Sequence, residues 1–161
     1  MRPYFAELDG THAPDRTSWV VTANAADTDF PIQNLPFGVA KGRRAADAPS
    51  VVVAIGDMVL DVATAAGMLP HFFGDDEVHR AVEACMQPDL NALMALGPGP
   101  RRALRHALAE VLDAAHPNAA QHERALAHAL VPMDRVELLV PARVGDYTDF
   151  YASVHHATNV G

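Results

Sequence analysis

The chain has one cysteine, Cys85, among 161 residues. A single thiol cannot close a disulfide within the chain or build a cysteine-rich zinc cage. Cys85 lies in an apolar run with Val82, Ala84 and Met86, where a cysteine acts as a small buried hydrophobe. Basic charge is also scarce, with 12 Lys and Arg against 20 Asp and Glu and a formal net charge of −8. The clusters Lys41–Gly42–Arg43–Arg44 and Arg101–Arg102 are too short for the basic footprint that phosphate contacts need, so no nucleic-acid partner is expected. No apolar run approaches the roughly 18 residues of a membrane span, so no membrane partner is expected either. Glu7 and Asp9 stand where a secretory signal would carry its apolar core, and the expected compartment is the cytoplasm. A Gly-rich phosphate loop, a nucleophile elbow and a paired-cysteine motif are all missing.

Half of the residues are hydrophobic and a fifth are charged, which suffices for a core in a domain of ordinary size. Residues 1–50 read as loop-rich, punctuated by Pro3, Pro14, Pro31, Pro36 and Pro49, with short strands expected at Ser18–Val21 and Phe37–Ala40. Between these, the prolines of Thr28–Gly38 exclude a helix interior and hold Phe30 and Leu35 extended. A rigid segment carrying Phe30, Ile32, Leu35 and Phe37 is expected to pack onto a small barrel or sheet. Val51–Ile55 and Met58–Val62 flank Gly56–Asp57, the pattern of a hairpin. Helices are expected from Ala63, over Glu77–Met86, over Asp89–Leu96 with Asp89 as cap, over Arg101–Ala115, and from about Asn118 to Leu130. The 101–115 pattern is strongest, because Leu104, Ala107, Leu108, Val111, Leu112 and Ala115 form one stripe. A strand at Val136–Val140 ends at Pro141. Short β elements followed by a helical group define an α+β fold class.

Most titratable residues carry no pattern. His71, His79, His106, His116, His122 and His128 sit on or beside helices as surface or half-buried residues, and His122 and His128 miss the i, i+4 spacing of a helical metal site. Asp75–Asp76–Glu77 suits the positive end of a helix dipole. Residues 145–161, GDYTDFYASVHHATNVG, differ in combining carboxylates, tyrosines, histidines and hydroxyls with few aliphatic residues. Asp is a hard oxygen ligand and His a base near neutral pH, so the run suits a site, while a polar turn would use the same residues.

That run resembles the active-site signature of the fumarylacetoacetase family. The resemblance extends upstream, in order, through Ser18–Val20, Thr28–Val39, Val53–Asp57 with Leu60–Asp61, and Leu90–Asn91 with Met94–Gly97. It implies a cytoplasmic homodimeric hydrolase that cleaves the C–C bond of 4-fumarylacetoacetate, a β-diketo acid, to fumarate and acetoacetate in tyrosine and phenylalanine breakdown. The implied architecture is a small SH3-like barrel with attached helices over residues 1–141, followed over 142–161 by the first segment of a catalytic β-roll. By the same resemblance Asp149 matches a ligand of Ca²⁺ or Mg²⁺, Tyr151 a substrate-contacting tyrosine, and His156 the base that activates water. The metal would polarise the diketone. Asp146, Tyr147 and His155 match the motif without an assigned role. The family's other ligands and its substrate-binding Arg and Lys lie further along, so this chain alone is expected to be inactive and to hold metal weakly. A related β-diketone or acylpyruvate hydrolase, and a non-catalytic dimerisation or regulatory module, are the alternatives. Cut off from strand neighbours, residues 150–161 are expected to be poorly ordered.

Overall fold

The computed structural model describes residues 8–42, 44 and 47–161; Pro3, Glu7 and Arg43, used above, lie outside them. Among the described residues five strands form one antiparallel sheet: β1 (Phe37–Gly42), β2 (Ser50–Ile55), β3 (Met58–Asp61), β4 (Leu130–Pro132) and β5 (Val136–Leu139), in the order β4-β3-β2-β1-β5. Five helices fill the interval between β3 and β4: α1 (Val62–Met68), α2 (Asp76–Cys85), α3 (Asn91–Ala95), α4 (Pro98–Leu112) and α5 (Ala119–Leu126). The class is α+β, as the sequence implies.

The order of the strands dictates the shape of the sheet. β4 and β5 lie on opposite edges, yet only a 3-10 turn at Met133–Arg135 joins them. Three residues of 3-10 helix rise about 6 Å, whereas the edges of a flat five-stranded sheet would stand roughly 19 Å apart. The sheet therefore curls until its edges approach. Side chains alternate accordingly. Val39, Val51, Val53, Ile55 and Leu60 enter the main core beneath the helices, while Ala40, Val52 and Val59 form a small second cluster with Val131, Met133 and Val136. Burial on both faces explains why β2 reads as an unbroken apolar run.

The expected hairpin is present. Ile55 pairs with Met58 around a two-residue loop whose first residue, Gly56, has φ +56°. A Cβ at Gly56 would lie 2.6 Å from the backbone nitrogen of Ala23 and collide with the Thr22 side chain, so both conformation and space require glycine there. The proline-rich block packs as expected: Ile32 and Leu35 are buried, and Phe30 and Phe37 are half-buried.

Ser18–Val21 is not a strand. Ser18 makes an isolated bridge to Asp113, and Val21–Asn24 turns into a 3-10 helix. The polar groups of this segment serve the end of α4. The Ser18 hydroxyl donates to the Leu112 carbonyl at 2.8 Å, and the Trp19 indole N–H donates to that of Val111 at 2.8 Å. These are carbonyls that a helix end leaves without partners.

Boundaries also move. α3 ends at Ala95, and Gly97, at φ +79°, lets α4 begin at Pro98 in place of Arg101, with proline in its first turn where no N–H is needed. The alanine-rich pattern after Asn118 does not continue to Leu130, because Leu130–Pro132 pairs with Met58–Leu60 as the edge strand β4. An edge tolerates Pro132. No helix among the described residues is long and apolar enough to cross a membrane.

Beyond β5 the chain runs without a strand to α6 (Val154–Val160). Within the stretch 150–161 this short helix has a local cause. Ser153 is extended at its N-cap, and its hydroxyl accepts the His156 N–H at 3.1 Å. None of its residues is buried.

Candidate functional site

Two of the three residues singled out by the resemblance meet in the structure. The rings of Tyr151 and His156 stand edge-on, with centroids 5.2 Å apart. His156 projects from the first turn of α6, where its Nδ1 accepts the Ala152 N–H through a long contact of 3.4 Å. A neutral ring held this way keeps its lone pair at Nδ1 and its proton at Nε2. Asp149 is exposed on the strandless stretch, and no hydrogen bond joins it to either ring among the described residues. Asp146 turns its carboxylate back to the Tyr147 N–H at 2.8 Å.

These residues do not fit a divalent cation on their own. Ca²⁺ takes six to eight oxygen ligands, and Mg²⁺ demands an octahedron. Asp149 is one exposed carboxylate, and among the described residues no three His, Cys, Asp or Glu side chains gather as a metal ion requires.

Other chemistry-bearing residues are used structurally. Cys85 is 2% exposed, and burial, with the Asp61 carboxylate behind it, pushes its thiol up to about 12, so it is inert near neutral pH. A cavity of about 450 Å³ lies beside Thr11, Asp15, Arg16, His106, Glu110 and Asp113, but the charges of Arg16, His106, Glu110 and Asp113 are spent on protein partners. Arg16 bonds Asp113 at 2.6 Å and Glu110 at 2.5 Å, and His106 meets Asp9 at 2.9 Å. Arg105 donates to Thr11 at 3.0 Å and to the Gln33 carbonyl, and Gln33 in turn donates to the carbonyls of Ala13 and Arg16. The network straps residues 9–17 and the proline-rich block onto α4. The Thr11 hydroxyl, with its amide and His106, holds the Asp9 carboxyl well below the usual carboxylate range against the opposing effect of burial.

His122 differs most from its sequence reading, being 1% exposed with an Nδ1 that has no hydrogen-bond partner among the described residues. Its ring is edge-on to Phe72 at 4.7 Å and lies 4.5 Å from that of His116. The signal for its burial is in the sequence, since His122 precedes Leu126 and Ala129 on one helical face. Burial first, then His116 and His71, lowers its pKa below the ordinary 6.5, so the fold holds it neutral. The unfolded chain takes up this proton at the ordinary value and the folded chain only at lower pH. Between the two, the unfolded state binds more protons and stability falls as pH falls. The urea midpoint is expected to drop as pH is lowered from about 6.5. His122→Phe, which keeps an aromatic ring against Phe72, is expected to flatten that slope; an unchanged slope would acquit His122.

The curled sheet and its helices define an α+β unit from which a polar, histidine-bearing segment stands clear. A sequence profile described as "Fumarylacetoacetase N-terminal" matches residues 33–141, more than half of the chain. Over 157 residues the chain is 39% identical to the fumarylacetoacetase of Oryza sativa subsp. japonica, covering 95% of this chain and 35% of that protein. It is 37% identical to the Arabidopsis thaliana fumarylacetoacetase over 138 residues, 84% of this chain and 31% of that protein. For the Homo sapiens fumarylacetoacetase the figures are 36% over 137 residues, 85% and 32%. The chain belongs to the fumarylacetoacetase family and corresponds to its N-terminal region. It spans about a third of the length of the curated relatives it matches.

Proposed function

We propose that this chain is the N-terminal part of a fumarylacetoacetase, which adds water across a C–C bond of 4-fumarylacetoacetate to give fumarate and acetoacetate. The observation that carries this is its 39% identity, over 95% of its length, to a protein of that name. In this reading His156 takes a proton from the attacking water at Nδ1, giving up its long contact with the Ala152 N–H, and the water oxygen bonds to the carbonyl carbon. The electrons of the broken C–C bond pass to an enolate, which is protonated as acetoacetate. Tyr151 contacts the substrate beside His156. Asp149 supplies one oxygen ligand toward a Ca²⁺ or Mg²⁺ site, and no step is assigned to an ion that these residues do not hold alone.

The same reading carries an SH3-like closure of the barrel within residues 1–141 and a catalytic β-roll begun at 142. It also carries a cytoplasmic homodimer for the whole protein. Turnover of fumarylacetoacetate, followed by release of fumarate, tests it on the whole protein and on residues 1–161 side by side. The expected result is hydrolysis by the whole protein and none by this chain. A whole protein that leaves the substrate intact would refute the function, and turnover by this chain alone would refute its incompleteness.

A further inference from the structure

The segment that carries Asp149, Tyr151 and His156 is held at its root. Val140, Val144, Tyr147, Phe150 and Val154 are exposed, and among the described residues the hydrogen bonds between residues 140–161 and the rest of the fold all fall at 141–143. The Leu90 N–H donates to the Pro141 carbonyl at 2.8 Å. Asn91 engages both backbone groups of Arg143: its Oδ1 accepts the Arg143 N–H at 2.8 Å, and its Nδ2 donates to the Arg143 carbonyl at 3.1 Å. Asp89 completes the grip. One of its oxygens accepts the Asn91 N–H at 3.0 Å, and the other accepts the Arg143 Nε at 2.8 Å.

A carboxamide presents a donor and an acceptor in one plane, so it can bind the N–H and C=O of one residue as a neighbouring strand would. Two such bonds set position and direction together. The base of the clasp is firm, because Leu90 and Leu93 on either side of Asn91 are buried in the main core. We infer that Asn91 is a positioning residue: it fixes where, and in which direction, the site-bearing segment leaves the α+β unit, and it touches no substrate. This inference rests on the function proposed above, and it assigns a task to a residue outside the segment itself. A misplacement of about 1 Å from a remote change can cost roughly 10²-fold in rate.

The test places Asn91→Ala, Asn91→Asp and Arg143→Ala in the whole protein, with hydrogen exchange at residues 140–146 and steady-state kinetics as readouts. Alanine favours helix, so α3 is expected to persist, and aspartate keeps the acceptor while losing the donor. Asn91→Ala is expected to speed exchange at Arg143 about 10-fold or more. Its kcat is expected to fall roughly 10- to 100-fold with KM within about threefold. Asn91→Asp is expected to fall between Asn91→Ala and wild type. Arg143→Ala is expected to change little, because it keeps the backbone clasp and its guanidinium is largely exposed. Unchanged exchange at Arg143 in Asn91→Ala overturns the clasp. Faster exchange with unchanged kcat overturns the positioning role while the proposed function stands. A wild-type protein without turnover fails the proposed function and takes the positioning role with it, while exchange still reads the clasp separately.

Discussion

His156→Gln in the whole protein is expected to lower kcat for fumarylacetoacetate hydrolysis by roughly 10²- to 10⁴-fold, the usual worth of a general base. Glutamine keeps a polar side chain of similar reach and can accept a hydrogen bond, but it cannot take the proton that attacking water must lose. The loss should fall on kcat and leave KM nearly unchanged, because the missing interaction forms only in the transition state. The structure also separates this effect from misfolding. His156 is exposed, and α6 buries none of its residues, so the substitution removes no core contact. The thermal midpoint of residues 1–161 is therefore expected to be unchanged. Tyr151→Phe keeps the edge-on ring contact and is expected to cost less than His156→Gln. Steady-state kinetics with circular dichroism checks all three statements. A His156→Gln enzyme with kcat within threefold of wild type would remove this residue from the chemistry.

Leu108→Ala is expected to destabilise the domain by about 2–5 kcal/mol, the range for emptying a buried leucine site. Leu108 is 0% exposed on α4, between Leu104, Val111 and Leu112, which are equally closed to solvent. α4 packs chiefly on α2 and also meets α5, so the walls of the cavity belong to different elements and cannot all collapse into it. Against a total stability of about 5–15 kcal/mol, such a loss is a large fraction. Urea titration should show a lower midpoint with an unchanged slope. Leu138→Ala, on the outer edge strand β5 where the side chain is 57% exposed, is the contrast, expected to shift stability by no more than about 0.5 kcal/mol. Equal effects at both positions would contradict the core described above.

Several elements were legible because their causes are local. The Val51–Val62 hairpin announces itself through Gly56, whose positive φ and crowded surroundings admit no side chain. The stripe on α4 is likewise visible as Leu104, Ala107, Leu108, Val111 and Leu112. Ser18–Val21 misled because its short apolar run looks like a strand, whereas the Ser18 hydroxyl and the Trp19 indole are spent on the carbonyls at the end of α4. β4 was hidden because Leu130–Pro132 continues an alanine-rich helical pattern, and only pairing with Met58–Leu60 makes it a strand. Of the residues named by resemblance, the structure brings the rings of Tyr151 and His156 together and leaves Asp149 apart from them. The clasp of Asn91 on Arg143 joins residues 52 positions apart, which no local pattern can reveal.

By itself, the sequence determined the α+β class, the hairpin, the dominant helix, the solitary cysteine, and the polar run at 145–161. Each follows from composition or from spacings of a few residues, which set backbone dihedrals and amphipathic faces directly. Tertiary structure alone decided the curl of the sheet, the burial of His122 against Phe72 and His116, and the strapping of residues 9–17 to α4. It alone decided that Asp89 and Asn91 hold the root of the site-bearing segment. Those features depend on which distant surfaces meet, and that is set by the packing of one shared core.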